Sequence, residues 1–445
     1  MIRKLFLTLF LIAVLLFPVT ALADDAQGWP LSREGYTLEQ VVVLSRHSIR
    51  SPLSGKGSVL GEITPHEWFA WSSAPSELSL RGGVLETEMG QYFRKWLEVE
   101  GLIPENYRPE GNEVRVYANA KQRTIATSQY FSAGFLPTAN LLIEYHAEYD
   151  KMDPVFSPVL TFVSDTYRDY AEAQMRSLFS EKIAGLEDNY ALLTDVTDME
   201  ETEAFRNGTL KPFRTDDTAV ILEAGAEPGM SGSLKTGCSA ADALVLQYYE
   251  EPDELKAAFG HKIGFEEWRK ISEIKDLYVD FLFAAPLIAV NVAHPLLEEI
   301  RDEITEDGRL FTFLCGHDSN IASVLAALDV EEYILPDAIE VKTPIGCKLV
   351  FTKWSGPDGK ALWGADLVYL KTDQLRGMPL LGQGSSPAVF PVTFAGLERT
   401  PEGLYSEADL LARFDQAIAA YDTLEEEYAD IVPAEVAEES TAGGE

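Results

Sequence analysis

Cysteine is rare in this sequence of 445 residues, which contains only Cys238, Cys315 and Cys347. So small and odd a number cannot form the disulfide framework that holds together many compact secreted domains. Cys315 and Cys347 lie in apolar, strand-like runs, so we expect buried small side chains there, although one disulfide could form in an oxidising compartment. The sequence also lacks a C-x-x-C motif and a pair of histidines at ligand spacing. It therefore predicts neither a metal site nor a cofactor.

Positively charged residues are also few, with 36 Lys and Arg against 72 Asp and Glu and a formal net charge of −36. Binding to nucleic acid or to an anionic membrane requires a basic surface, and this composition disfavours both kinds of partner. In so acidic a chain, a local cluster of arginines stands out as a candidate anion-binding site.

A long apolar run occurs only at the start of the chain. A basic start precedes a stretch over residues 5–17 that is apolar except for one threonine, and Ala21 and Ala23 form a small-x-small cleavage site. This pattern is typical of a secretory signal peptide over residues 1–23, because the run is too short for a membrane-spanning helix. We therefore expect an exported, soluble mature protein with 34 Lys and Arg, 72 Asp and Glu and a net charge of −38.

Hydrophobic patterns predict alternating strands and helices in the first third of the chain. The apolar, mostly β-branched run over residues 41–44 is typical of a strand buried on both faces of a parallel sheet. A helical pattern over 79–101 follows, then a strand over 113–118, a helix over 119–134 and a strand over 141–145. This order indicates an α/β fold with a doubly wound, mostly parallel sheet.

The pattern changes near residue 153 and becomes helical. We interpret residues 153–294 as a mainly α-helical lid domain inserted into a discontinuous α/β core domain of residues 24–152 and 295–432. The predicted lid helices are 165–187, 236–250, 253–260 and 265–293. The second part of the core domain has predicted strands at 310–315, 346–354 and 361–370, the last two alternating like antiparallel edge strands, then a final helix at 407–428. Residues 433–445 are predicted to form a disordered acidic tail.

A polar cluster follows the first predicted strand directly. Arg46, His47 and Arg50 fall just beyond its carboxyl end, which is where the reacting groups of open α/β sheets lie. Guanidinium groups bind phosphate or carboxylate oxygens bidentately, and a histidine between them can attack or transfer a proton. The alternative is an ordinary solvated basic loop. The position of this polar cluster at a strand end in an acidic chain favours an anion-binding site.

Two further groups of polar residues repeat this arrangement. Gly316, His317 and Asp318 follow the predicted strand 310–315, and Arg123 lies near the start of a helix after another strand. Ser319 or Asn320 would cap the helix that follows Asp318, and its N-terminus would add partial positive charge. In the alternative interpretation, Asp318 only caps the helix and Arg123 is only a surface residue.

Together, these clusters predict phosphoryl transfer. Three arginines could hold the phosphate oxygens, and His47 could attack phosphorus in line and carry the group covalently. Asp318 could protonate the departing oxygen and later help to activate water. This role requires a protonated carboxyl and predicts an acidic optimum. A phosphate dianion would raise the pKa of Asp318, whereas the arginines would lower it.

Residues 46–52, R-H-S-I-R-S-P, resemble the R-H-x-x-R-x-P signature of the histidine acid phosphatases, and His317-Asp318 resembles the distal His-Asp pair of that family. The likeness extends from about Val41 to Trp354. It is closest to the branch of bacterial periplasmic glucose-1-phosphatases, a sister of the bacterial phytases. The segments that carry this closer match are 57–60, 246–250 and 317–323.

The resemblance implies a role for each matching residue. It implies His47 as the nucleophile and Asp318 as the proton donor. The implied phosphate ligands are Arg46, Arg50, Arg123 and His317. It further implies a phosphoglycerate mutase-like α/β core with a helical lid, no metal, and a periplasmic location. We expect a small phosphomonoester as the substrate, and the sequence is compatible with both a monomer and a homodimer.

Glu250 matches a position that lies beside the substrate pocket in this branch, where a carboxylate would repel a polyanion and could bind sugar hydroxyls; alternatively it is an exposed residue at a helix end. We therefore expect an acid phosphatase acting on glucose 1-phosphate or similar sugar phosphates. One alternative is a phytase, which hydrolyses myo-inositol hexakisphosphate and should have a lysine-rich and arginine-rich pocket. Another is a non-catalytic phosphosugar-binding protein, which would need neither His47 nor Asp318.

Overall fold

The computed structural model describes residues 29–53 and 57–430. The predicted signal peptide, residues 1–23, and the predicted acidic tail, residues 433–445, lie outside the described residues.

A seven-stranded mixed sheet forms the centre of the described part of the chain, with strand order β2-β5-β1-β6-β7-β8 and β9 paired to β7. A separate two-stranded hairpin consists of β3 and β4. The strands are β1 (Thr37–Arg46), β2 (Val114–Ala118), β3 (Ala219–Ile221), β4 (Gly229–Ser231), β5 (Phe311–Gly316), β6 (Lys348–Ser355), β7 (Ala361–Tyr369), β8 (Ala388–Pro391) and β9 (Tyr405–Ser406).

Strand β1 is buried on both faces, as its apolar run predicts. Val41 and Val43 pack into one hydrophobic cluster, and Val42 and Leu44 pack into another on the opposite face. Successive side chains of a strand point to opposite faces, so a strand covered on both sides needs no polar alternation. The α/β fold class is confirmed.

Two predictions for the sheet need correction, although the antiparallel direction predicted for residues 346–354 and 361–370 is confirmed. Only β2, β5 and β1 run parallel to one another, whereas β6, β7, β8 and β9 pair antiparallel. A short connection between β6 and β7 leaves no room for a crossover helix and imposes the antiparallel direction. The predicted strand over residues 141–145 is reduced to a single bridge between Tyr117 and Glu144.

Helices cover both faces of the sheet. On one face lie α1 and α2, and on the other lie α9, α10 and α12. The helices are α1 (Leu80–Val99), α2 (Gln122–Phe135), α3 (Asp165–Ala184), α4 (Glu187–Val196), α5 (Glu203–Arg206), α6 (Ser233–Glu250), α7 (Glu254–Ala257), α8 (Phe265–Phe283), α9 (Pro286–Thr305), α10 (Asp318–Ala327), α11 (Thr372–Gly377), α12 (Glu407–Asp422) and α13 (Leu424–Tyr428).

The predicted helix over residues 265–293 is in fact two helices, α8 and α9, with an 82° bend between them. Pro286 occupies the first turn of α9, where its missing N–H costs nothing but where it cannot continue the preceding helix. The domain boundary predicted after residue 294 lies within α9. Within the described residues, no single helix has the length and apolar composition needed to cross a membrane. Helices α8 and α9 reach that length and composition only when the bent pair is counted as one segment.

The three cysteines have no disulfide bonds. Cys315 and Cys347 are buried in β5 and β6, as expected from their apolar surroundings. Cys238 lies partly exposed in α6.

Candidate active site

The ends of β1 and β5 lie side by side, which places the two predicted polar clusters together. The strands are parallel neighbours with Arg46 opposite Gly316, and the backbone N–H of His47 donates to the Gly316 carbonyl at 3.0 Å. As a result, the His47 and His317 rings are 5.4 Å apart between centroids. The expectation that both strand ends face one crevice is confirmed.

The hydrogen bonding of His47 leaves one ring nitrogen available for attack. Its Nδ1 lies 2.9 Å from the carbonyl oxygen of Ser48. A carbonyl oxygen only accepts, so Nδ1 carries the proton and Nε2 of the neutral ring carries the lone pair. Burial, and then the charges of Arg123 and Arg50, hold the pKa of His47 well below its usual range. The neutral form of the imidazole is therefore favoured.

Arg46 and Arg50 are fixed by carboxylates and still have donors to offer. Arg46 donates to Glu340 Oε1 at 2.8 Å, and Arg50 donates to both oxygens of Asp242 at 3.1 and 3.4 Å. The Nε atoms of Arg46, Arg50 and Arg123 are buried, and none has a hydrogen-bond partner among the described residues. Unsatisfied buried donors are costly in a folded protein, and a tetrahedral oxyanion would satisfy them.

Arg123 and His317 form the opposite side of the site. Asn119 Nδ2 donates to His317 Nε2 at 2.7 Å, and the Asn119 amide is oriented by the Asp153 N–H, which donates to its oxygen at 2.9 Å. The neutral His317 ring must then carry its proton on Nδ1, which lies 3.4 Å from an Arg123 nitrogen. Burial and the charge of Arg50 lower the pKa of Arg123 to about 10. An anion between these two donors would bind to both.

Asp318 is the first residue of α10 and is held by two cations. Its Oδ2 lies 3.1 Å from an Arg46 nitrogen and 3.6 Å from Lys275 Nζ. Burial favours the neutral acid, but Arg46 and Lys275 outweigh it and hold the pKa of Asp318 well below its usual range. From the sequence, we expect a phosphate dianion to raise the pKa of Asp318 and the arginines to lower it. In the substrate-free site the positive charges dominate, so the carboxyl is ionised there.

The helix-cap interpretation of Asp318 is partly right. Its Oδ1 accepts from the Ser319 N–H at 3.0 Å, while Oδ2 remains with the cations. The residue before the helix is His317, and the predicted cap by Ser319 or Asn320 is realised only through Asn320, whose Oδ1 accepts from the His317 N–H at 2.9 Å. The carboxylate therefore both stabilises the helix start and faces the site.

Sequence reasoning missed two charged residues directly beneath the site, Lys275 and Glu340. Glu340 Oε1 accepts from Lys275 at 2.7 Å and from Arg46, and its other oxygen accepts from the Tyr249 hydroxyl at 3.0 Å. Although burial favours its neutral form, Lys275 and Arg46 lower the pKa of Glu340 to about 2. One signal for Lys275 was available, because it falls one helical turn from Ile271 and from Val279 on an apolar helix face. Glu340 lies in a loop with no such pattern.

A cavity of about 380 Å³ opens above these groups. Its walls include two carboxylates that sequence reasoning also missed, Glu227 and Asp242, and the lysine Lys235. Other lining residues come from the lid helices and the phosphate site: His47, Arg50, Arg123, Cys238, Ser239, Lys275, Tyr278, Phe283, His317 and Asp318. In the described part of the chain, no group of three or more His, Cys, Asp or Glu side chains is placed to hold a metal ion.

Glu250 does not line this cavity, and its predicted pocket position needs correction. Its carboxylate lies 3.6 Å from Arg81 Nε, and burial raises its pKa. Helix α6 lines the cavity with residues between Lys235 and Asp242, and Glu250 is eight residues beyond Asp242. At a rise of about 1.5 Å per residue it lies roughly 12 Å further along the helix axis.

Comparisons with known proteins agree with this geometry. The family model described as histidine phosphatase superfamily (branch 2) matches residues 37–218. A glucose-1-phosphatase of Salmonella typhimurium is 38% identical over 363 residues, covering 81% of this chain and 86% of the relative. The phytase AppA of Escherichia coli is 26% identical over 427 residues, covering 91% of this chain and 95% of the relative.

Among solved structures, the apo phytase of Hafnia alvei has the same fold, with a TM-score of 0.77 and 24% identity over 88% of this chain and 98% of its own. The resemblance carried by the Arg-His and His-Asp motifs is therefore confirmed, and the alternative of a non-catalytic binding protein is not retained. The chain belongs to branch 2 of the histidine phosphatase superfamily and is a phosphatase.

Proposed function

We propose that the protein hydrolyses phosphomonoesters through a phosphohistidine formed on His47. The observation that carries the proposal is the unprotonated Nε2 of a neutral, buried imidazole, beside three guanidiniums whose Nε donors have no partner within the described ranges. Arg46, Arg50, Arg123 and His317 would hold the phosphate oxygens. Such a fixed array stabilises the charge that develops on those oxygens as the leaving group departs.

Each step has a residue to move the proton. As His47 Nε2 bonds to phosphorus, the bond from phosphorus to the ester oxygen breaks, and the proton of Asp318 passes to that oxygen. Water then attacks phosphorus, gives its proton to Asp318, and releases phosphate together with the neutral imidazole. The same carboxyl serves as the acid in the first step and the base in the second.

The proton on Asp318 must arrive with the substrate, because the carboxyl is ionised in the substrate-free site. A phosphomonoester loses its second proton near a pKa of about 6, so below that pH it binds as a monoanion. Once the phosphate charge lies against the arginines, the proton is better placed on Asp318. The expected acidic optimum of kcat/KM then reflects the protonation of the free substrate, whereas that of kcat reflects the proton held by Asp318 in the bound complex.

Sugar phosphates are the proposed substrate class, with glucose 1-phosphate as the first candidate. The carboxylates of Glu227 and Asp242 line the cavity around the leaving group. They would accept hydrogen bonds from sugar hydroxyls and repel further phosphates of a polyanion. We therefore assign to Glu227 and Asp242 the role in substrate selection that the sequence predicted for Glu250. The 38% identity to a glucose-1-phosphatase also favours sugar phosphates as the substrate class.

Phytase activity is the second candidate, because Lys235 and Lys275 also line the cavity. Lys275 is occupied by Glu340 and Asp318, so among the described lysines of the cavity wall Lys235 is the one available to a distal phosphate. We also propose that the protein is exported to the periplasm, on the basis of the predicted signal peptide and of the resemblance to periplasmic glucose-1-phosphatases. Residues 153–294 remain a proposed lid domain.

The test compares initial rates of phosphate release at about pH 5, where carboxyl groups are still partly protonated. Glucose 1-phosphate and myo-inositol hexakisphosphate are the substrates, and His47→Ala is the control. A higher kcat/KM for glucose 1-phosphate supports the sugar phosphate assignment. A higher value for the inositol phosphate would reverse it, and release by His47→Ala at the wild-type rate would refute His47 as the nucleophile.

A further inference from the structure

Lys275 is a buried cation that none of the steps above uses. It lies in the middle of α8 with 3% of its surface exposed, and it reaches the floor of the cavity. Its Nζ lies 2.7 Å from Glu340 Oε1 and 3.6 Å from Asp318 Oδ2. Both nearest partners are carboxylates, and the ammonium is therefore placed to act on the proton donor rather than on phosphate.

The charged groups around Asp318 come from several elements. Arg46 and Lys275 contact the same carboxylate oxygen, one from the end of β1 and the other from α8. The other titratable groups near Asp318 are His47, Arg50, Arg123 and His317 in the phosphate site, Glu340 and Cys347 below, and Glu227, Asp242, Cys238 and Tyr278 in the cavity wall.

These neighbours respond differently to a bound phosphate. The arginines and His317 would direct their free donors to its oxygens, so their charge would be shared with the anion. Lys275 already donates to Glu340, and its other close partner is the Asp318 oxygen that it shares with Arg46. Its attraction for an ionised Asp318 would therefore persist while the substrate is bound.

We propose that Lys275 is a positioning residue that tunes the acid strength of Asp318, and with it the pH range in which the leaving group is protonated. This inference rests on the proposed function. An ammonium beside Asp318 makes the carboxyl a stronger acid, so proton transfer to a sugar oxygen becomes easier while the proton is lost at a lower pH.

The test is the pH profile of kcat for glucose 1-phosphate in wild type, Lys275→Met and Lys275→Arg. Loss of an opposite charge at this distance should move the alkaline limb of the profile up by roughly 1–3 pH units in Lys275→Met. The limb should stay in place in Lys275→Arg, which keeps the charge. The kcat at the optimum should fall for Lys275→Met with glucose 1-phosphate and much less with p-nitrophenyl phosphate, whose leaving group needs little protonation.

Lys342→Met is the matched control, because Lys342 bonds the Tyr333 carbonyl and does not line the cavity. Its profile should match wild type. If Lys275→Met fails to fold, as judged by circular dichroism, Lys275→Gln keeps a donor for Glu340 without the charge and should show the same shift. A profile for either neutral variant that superimposes on wild type would overturn the inference, whereas a wild type that releases no phosphate would instead overturn the proposed function.

Discussion

Substitution Glu340→Gln tests the buried charge network beneath the site. Glu340 is 1% exposed and accepts from Arg46, Lys275, Tyr249 and the Ile345 N–H. The amide keeps the shape of the side chain but removes its charge and turns one acceptor into a donor. Arg46 and Lys275 then share Asp318 as their one remaining carboxylate contact among the described residues.

The expected loss of stability follows from the pKa of Glu340, which is about 2 in the folded protein against an ordinary value of 4.5. A depressed carboxyl pKa stabilises the folded state above the unfolded pKa, and this stabilisation is lost as pH falls toward the folded pKa. At about 1.4 kcal/mol per unit, the contribution is roughly 3 kcal/mol near neutral pH and about half of that near pH 3. Breaking a buried ion pair typically costs a similar amount, about 3–5 kcal/mol.

Urea denaturation of wild type and Glu340→Gln at a series of pH values measures this difference in the free energy of unfolding. The exposed Glu331→Gln is the matched control and should behave like wild type. A gap that shrinks between about pH 4.5 and pH 3 agrees with the account. Equal stability at neutral pH, or a gap that does not change with pH, would refute the reasoning.

Two further substitutions test the proposed roles in the cavity. Asp318→Asn should lower kcat for glucose 1-phosphate by about 10²–10⁴-fold, the usual contribution of a general acid, with a smaller loss for p-nitrophenyl phosphate; equal losses on both substrates would argue against proton donation. Glu227→Gln should raise kcat/KM for myo-inositol hexakisphosphate relative to glucose 1-phosphate, since one repulsive charge is removed. Because burial raises the pKa of Glu227, the preference of wild type for the sugar phosphate should weaken as pH falls, and a preference that is constant with pH would contradict this role.

Much of the phosphate site could be predicted from the sequence because its residues are local to strand ends. Arg46, His47 and Arg50 follow one apolar run, and His317 and Asp318 follow another. The end of a buried strand is a position that hydrophobic patterns reveal, and parallel neighbours bring such ends together.

The supporting residues could not be predicted in the same way. Glu340 lies in a loop, and Glu227 and Asp242 lie far along the chain from both motifs, so only the packing of the lid over the sheet brings them to the site. The error at Glu250 has the same origin, since a position at the end of α6 does not reveal which half of that helix faces the cavity. The pattern over residues 346–354 and 361–370 predicts antiparallel edge strands. Strands β6 and β7 do pair antiparallel, but β6 lies beside β1 inside the sheet, a position that alternation alone does not reveal.

The most direct test of the account is whether phosphate becomes bound to His47 during turnover. Glucose 1-phosphate with labelled phosphate would be mixed with the protein, quenched with alkali within milliseconds, and digested, because phosphohistidine is stable in alkali and labile in acid. The label should appear on the peptide that contains His47 in wild type, should be absent in His47→Ala, and should be lost on acid treatment. Turnover of the substrate by wild type with no labelled peptide, or label on another residue, would contradict it.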